Sequence, residues 1–245
     1  MLAVALILGL LTPPALAAEA RTYDITVSPV HEVCLEGSGD AAWATALLAP
    51  EGLAPHLEEG RARLSLCGTS SRFGGRNFQE AIFTVEVEAP EGGEATFLVE
   101  ALESLRLYAR VERRRNRSPY AWGAVRERFD EQGAALGFGP PESPWFEAHT
   151  TFAAPPSPPE PQVFEGAIHQ PGHTLFYARL EGDRAEAPCS PADTLTLGPV
   201  GVSALSDALR ASGFTPERWL LRAAGTHAKT NTLDRAPLVA PAATP

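Results

Sequence analysis

Glu80 heads an alternating segment in which Ala81, Phe83, Val85 and Val87 point one way and Ile82, Thr84, Glu86 and Glu88 the other. A carboxyl in register with Ile82 and Thr84 can give or take a proton if that face lines a cavity. Burial beside apolar groups then raises its pKa towards neutrality, and a nearby arginine lowers it. Glu80 is therefore the candidate catalytic acid or base, against the plainer role of a strand-edge glutamate paired to Arg76. Arg117, Tyr120 and Trp122 follow one another closely enough to meet at one pocket mouth. There a guanidinium grips a carboxylate through two hydrogen bonds, and aromatic rings pack the apolar remainder of a ligand. With Arg76 they make a candidate binding set for a small organic acid, and no cofactor is implied.

Other chemistries find less support. His169 and His173 flank Gln-Pro-Gly and with His227 offer imidazoles, but Pro171 and Gly172 exclude the helical His-x-x-x-His arrangement, and no metal site is assigned. Gly74-Gly75 is too short for a phosphate loop, and no Gly-x-Ser-x-Gly elbow occurs.

The run Leu105 to Arg117 must position the downstream half of this set. Arg106, Arg110, Arg113, Arg114, Arg115 and Arg117 crowd into it, opposed there by Glu112, in a chain of formal charge -10. At about 100° per residue, Arg106, Arg110, Arg113 and Arg117 share one stripe, with Leu102, Leu105, Tyr108, Ala109 and Val111 on the opposite arc. The spacing predicts an amphipathic helix with a basic edge, ended by Ser118-Pro119. The same stripe suits a solvated face or a surface for an acidic partner.

Around it the pattern predicts strands at 21–27, 63–67 and 81–88, the last returning through Pro90-Glu-Gly-Gly to 95–100. Tyr120 to Phe129 reads as one further strand, residues 138–144 as loop, and 150–153, 163–169, 173–180, 193–197, 219–222 and 226–232 as strands. Short helices are expected at Ala41 to Leu48 behind Asp40, at Leu53 to Glu59 as helix or turn, at Ser203 to Arg210, and as one turn at Thr215-Pro216. The prolines of 155–161 make a stiff extended loop, within one α+β domain spanning 18–235, and 236–245 reads as a disordered tail.

Residues 1–17 carry an apolar run and then Ala15-Leu16-Ala17, which read as a bacterial secretory signal, so the expected location is secreted or periplasmic. The run is well short of the ~20 residues that span a bilayer, so no stable membrane span is expected. In an oxidising compartment Cys34 and Cys67 are a plausible pair, which leaves Cys189 as a free thiol or alternative partner. An acidic chain disfavours nucleic acid as a partner, since phosphate neutralisation needs a basic face.

Asn77-Phe78-Gln79-Glu80 opening a strand, the hairpin after it, a charge-rich helix and then Ser118-Pro119-Tyr120 resemble the acetoacetate decarboxylase-like β-barrel superfamily over residues 70–130. The resemblance implies an α+β fold, a curved and mainly antiparallel sheet or β-barrel with a few packed helices, around a small-molecule cavity. It also gives Glu80 the role of the glutamate that orients and protonates substrate. Those decarboxylases form a Schiff base through a lysine activated by a second lysine. Here Lys229 is the only lysine, outside the matched stretch, and an arginine cannot act as the amine. The expectation is thus an exported protein that binds a small organic anion on this fold. A lyase using Glu80 without a Schiff base, and an interaction module presenting the arginine-rich helix, stay open beside it.

Overall fold

A computed structural model describes residues 21–88 and 93–235. The signal segment 1–17, the tail 236–245 and part of the Pro90 turn lie outside the described residues. The chain runs β1 (Ile25–Gly39), α1 (Ala41–Leu48), β2 (Leu57–Glu58), β3 (Arg61–Phe73), β4 (Arg76–Glu86), β5 (Ala95–Glu103) and α2 (Arg106–Arg115). It continues through β6 (Tyr120–Trp122), β7 (Val125–Phe129), β8 (Gly133–Phe138), β9 (Phe146–Thr151), β10 (Glu160–Gln170) and β11 (Thr174–Pro188). It ends with β12 (Thr194–Leu197), α3 (Ala204–Ala211), β13 (Thr215–Lys229) and β14 (Leu233–Asp234).

The large sheet follows the order β1-β13-β11-β10-β5-β4-β3-β2, and β1 pairs with β3 as well. That extra pairing closes β1, β13, β11, β10, β5, β4 and β3 into a ring, a β-barrel that removes the open sheet edge. All its pairings are antiparallel except β5 with β10. The curved, mainly antiparallel barrel with a few helices is the expected architecture.

The pleat gives the barrel wall two faces. One carries Leu221, Val33, Ala81 and Leu102, and these pack in one buried cluster with Leu136, Phe138 and Phe146 of the second sheet, β12-β9-β8-β7, and with Leu205 and Leu209 of α3. Gly68 belongs to this face: a Cβ there would stand 2.2 Å from a Leu136 methyl, so glycine lets the second sheet lie directly on the wall. Asp193 pins the layers together, taking hydrogen bonds from Thr150 Oγ1 at 2.6 Å and Trp219 Nε1 at 2.9 Å. The opposite face carries a separate cluster of Leu98, Ala101, Tyr120, Ile168 and Ala178, with Ile82 and Phe176 against it. Since the second sheet covers the first face from outside, this cluster belongs to the barrel interior.

Helix α1 forms behind Asp40, whose carboxylate accepts from Trp43 N at 2.8 Å. Four local expectations need correction. Leu53 to Glu59 is not helical: a 3-10 turn at Ala49–Glu51 stops at Gly52, whose φ of 69° is left-handed, and an isolated bridge at Pro55 and the short β2 follow. Tyr120 to Phe129 is two strands in two sheets, because the chain crosses between layers at Gly123, where a Cβ would meet Trp145 at 2.8 Å. Thr215-Pro216 begins β13, with Pro216 opposite Gly37 where the register slips. Ser203 sits at the start of α3 without a capping bond, and Asp207 instead reaches back to Gly201 N at 2.9 Å. The proline-rich connection lies along β11, tied by Ser157 N to Glu186 O at 2.8 Å and by Glu186 N to Ser157 Oγ at 2.9 Å.

Cys34 and Cys67 face each other across β1 and β3 and are joined in a disulfide; Cys189 is a half-buried free thiol, its pKa pushed up to about 12 by burial and then by Asp193. The bridge closes a sequence separation of 33 residues, which the loop-entropy relation converts to about 3–4 kcal/mol. Urea unfolding of the Cys34→Ala/Cys67→Ala double variant is expected to show a loss of that size, and an unchanged midpoint would show that the bridge adds nothing to stability.

Candidate functional site

Directly opposed residues on neighbouring strands share a face, so the registers trace rows around the inside of the barrel. Arg222 lies opposite Glu32, Glu32 opposite Thr69, Thr69 opposite Glu80, and Glu80 opposite Glu103. This is a polar belt across β13, β1, β3, β4 and β5. The next row is apolar: Leu220, the Cys34–Cys67 bridge, Ile82, Ala101 and Tyr120. Tyr120 reaches from that row to the belt, and its hydroxyl donates to Glu80 Oε1.

Two carboxyls facing each other in an enclosed wall hold protons more tightly than exposed ones. Glu80 is raised to about 8, chiefly by burial and then by the charge of Glu103; Lys229 pulls the other way and Glu112 adds to the rise. Glu103 is buried and raised to about 7, again by burial first, held from rising further by Leu105 N at 2.9 Å and by Ser104 Oγ at 3.4 Å. Glu100 also reaches about 7 through burial alone.

Lys229, in the last position of β13, donates to Glu112 Oε1 at 2.5 Å, with Nζ 5.5 Å from the centre of the Phe176 ring. Glu112 is the acid of the basic helix. On α2 it shares the inward side with the buried Ala109, and its second oxygen accepts from Asn116 Nδ2 at 2.9 Å. The carbonyl of Asn116 is in turn held by Gln170 Nε2 at 3.2 Å and Thr232 Oγ1 at 3.0 Å, which seats α2 against the ends of β10 and of the β13 extension. Further along the belt, Arg222 meets Glu32 at 3.1 Å with both side chains buried, and His227 Nε2 stands 3.7 Å from Glu32. Burial holds the His227 pKa below its ordinary value despite that carboxylate. Glu32, Cys34 and Cys67 lie close enough to share an ion, but the two sulfurs are bonded to each other and so are withdrawn as thiolate ligands.

Of the residues singled out from sequence, Glu80 and Tyr120 are in contact and the others stand apart from them. Arg76 is exposed beside the β3–β4 turn, away from Glu80. Arg117 has a φ of 58° and pairs with Asp234 at 2.8 Å. Trp122 is 58% exposed, its indole donating to Ser104 O at 3.2 Å. Sequence reasoning missed Glu103, Glu112 and Lys229. Simple alternation from Phe97 puts Glu103 on the outer face, but a register slip between Phe83 and Thr84 turns Ala101 and Glu103 inward. For Lys229 the available signal was its being the sole lysine.

An open groove of about 560 Å³ lies at the barrel end, lined among others by His31, Ser70, Arg72, Phe78, Gln79 and Ser104. His31, Ser70 and Gln79 form a row of their own, each the chain neighbour of a belt residue, so the groove lies on the outer face of the wall, behind the belt. No described helix is long and apolar enough to cross a membrane.

No protein-family model matches the chain, and no curated protein matches it by sequence. Solved structures do. An enduracididine biosynthesis enzyme, MppR, seen with the condensation product of pyruvate and imidazole 4-carboxaldehyde, aligns over 94% of this chain and 95% of its own at 13% identity with a TM-score of 0.58. Acetoacetate decarboxylase from Legionella pneumophila aligns over 90% and 92% at 13% identity with a TM-score of 0.57. The chain has the acetoacetate decarboxylase-like fold. An acetoacetate decarboxylase-like enzyme from Sphingomonas wittichii RW1 is similar over 86% and 93% at 12% identity, with a TM-score of 0.53. The acetoacetate decarboxylase-like fold thus extends over nearly the whole chain, well beyond the stretch that resembled it in sequence.

The raised carboxyls make a pH prediction for this barrel. Glu80 and Glu103 titrate at about 8 and about 7 when folded against 4.5 ordinarily. The folded state therefore binds more protons in between, and the resulting stability is fully present below about pH 4.5 and is lost as pH rises through the folded values. Denaturant midpoints measured from pH 5 to 9 are expected to fall for the native chain and to fall less steeply for Glu80→Gln; parallel slopes would remove Glu80 as the source.

Proposed function

We propose that the protein binds a small organic anion bearing a carbonyl group, an oxo acid, inside the barrel beside the belt. The observation that carries this reading is the grouping of Glu80, its Tyr120 hydrogen bond and the Lys229–Glu112 ion pair on the inner side of the fold. With a pKa of about 8, Glu80 is mostly protonated at neutral pH. It then offers a donor to a carbonyl oxygen, while Lys229 exchanges Glu112 for the carboxylate of the ligand and Phe176 packs its apolar part. Arg117 lies at the rim, held by Asp234, and Arg76 and Trp122 take no part.

A second reading, a lyase-type enzyme, is favoured by Glu80 itself, since a carboxyl poised near neutrality suits general acid or base work. The structural neighbours include a decarboxylase and an enzyme seen with a pyruvate condensation product, which supports carbonyl chemistry on an oxo acid. Lys229 has a carboxylate for a neighbour where amine activation calls for a second cation. The lyase reading therefore rests on Glu80 and does not use a Schiff base.

We propose further that the chain is exported, secreted or periplasmic, a reading supported by the Cys34–Cys67 bridge. Mass spectrometry of the protein recovered from the expressing cell's envelope or medium should find Ala18 as its first residue; an intact Met1 terminus would refute cleavage.

The ligand test is thermal unfolding against keto, hydroxy, fatty and sugar acids. A ligand at ~100 times its Kd stabilises by about 2.7 kcal/mol. The shift is expected with oxo acids, retained in Arg117→Ala and abolished in Lys229→Met. A shift that survives in Lys229→Met would place the anion elsewhere. Turnover retained by Glu80→Gln on a ligand so found would defeat the lyase reading while leaving the binding reading intact.

A further inference from the structure

The outward face of α2 combines features that the barrel site does not use. At about 100° per residue, Leu107, Val111 and Arg114 lie along its solvent side, with Arg110 and Arg115 flanking them and Ala109 and Glu112 turned inward. Leu107 is 58% exposed and Val111 41%, and the exposed Trp122 stands at the start of the same helix, its ring 5.8 Å from the Arg106 guanidinium. Arg106, Arg110, Arg113, Arg114 and Arg115 are exposed, and none forms an ion pair among the described residues. Elsewhere Arg63, Arg126, Arg179, Arg184, Arg210, Arg218 and Arg222 each hold a carboxylate. The one acid of α2 is drawn inward by Lys229, so it does not offset this charge. In a chain of net charge -10, the result is a basic surface that also carries exposed apolar side chains.

We propose that this face docks the protein on an anionic phospholipid bilayer. The surface is the solvent side of a helix, and its apolar side chains stand between cations. A bilayer supplies both complements at once: phosphates in a plane for the guanidiniums, and an acyl boundary just beneath for Leu107, Val111 and the indole. Arginine suits the task because its planar fork binds phosphate through two hydrogen bonds. An acidic protein or a second copy of this chain would satisfy the charge, but it would also need a concavity matched to three separate apolar tips.

The experiment is vesicle co-sedimentation with the chain lacking only residues 1–17, so that the apolar N-terminal run contributes nothing. Binding is expected to vesicles of phosphatidylcholine with phosphatidylglycerol, not to phosphatidylcholine alone, and to weaken as salt shortens the screening length. The surface triple variant Arg110→Glu/Arg113→Glu/Arg114→Glu should bind on the order of 100-fold more weakly or worse. Leu107→Ser/Trp122→Ser, which keeps every charge, should also weaken binding, and Trp122→Phe should remove the fluorescence blue shift that accompanies it. Melting midpoints of the variants are compared first, so that lost folding is not mistaken for lost binding. Equal partitioning onto both vesicle types, or undiminished binding by the folded charge-reversed variant, would overturn the proposal. So would a dimer in sedimentation velocity that the charge-reversed chain loses while neither protein binds vesicles, since that would assign the face to a second copy. Oxo-acid binding is read separately, by thermal shift.

Discussion

The pairing of β1 with β3 is the constraint on which the rest depends. Without it the sheet would be an open, twisted ribbon with β1 at one end, and Glu32 and Thr69 would lose the shared register that continues the row from Arg222 to Glu80. Closure gives the wall an inside, and an inside is what makes a carboxyl expensive to ionise. The disulfide sits in the same pairing, one row from the belt. The covalent tie and the electrostatics of the site therefore depend on a single strand contact.

The two faces divide the labour of the fold. The outer face is apolar and layered, with the second sheet and α3 closing over it, and it supplies most of the hydrophobic stabilisation. The inner face has a smaller apolar cluster and can therefore carry ionisable groups. Those groups are satisfied in pairs: Glu80 with Tyr120, Glu32 with Arg222, Glu112 with Lys229. Helix α2 joins inside to outside, since its inward side completes the site while its outward side carries unpaired cations.

Much of the architecture was legible because the relevant signals are local. The alternation from Ala81 to Val87 identified the faces of β4, Asp40 marked the start of α1, and the Leu105 to Arg117 run marked α2. Glu80 and Tyr120 were singled out from strand pattern alone, and the structure brings the two into contact. What escaped depended on non-local geometry. β8, Gly-Ala-Ala-Leu-Gly-Phe, has little strand propensity of its own and is held by burial on both sides. The inward turn of Glu103 follows from an irregularity in the register with β4, and Lys229 meets Glu112 across nearly half the length of the chain. Arg117 looked like a partner for Tyr120 by proximity in sequence, yet its backbone conformation sends the guanidinium to Asp234.

The belt also has an order of assembly. Its members come from β1, β3, β4 and β5 in the first half of the chain and from β13 near the end. A nascent chain that has reached β5 can bring Glu32, Thr69, Glu80 and Glu103 together, but it would then expose an acidic row with neither Arg222 nor Lys229 to answer it. Non-local pairing of this kind is slow, and here the late strand brings the counter-charge. The final strand of the barrel thus serves as an electrostatic latch, and a chain arrested before β13 holds neither a closed wall nor a neutralised interior.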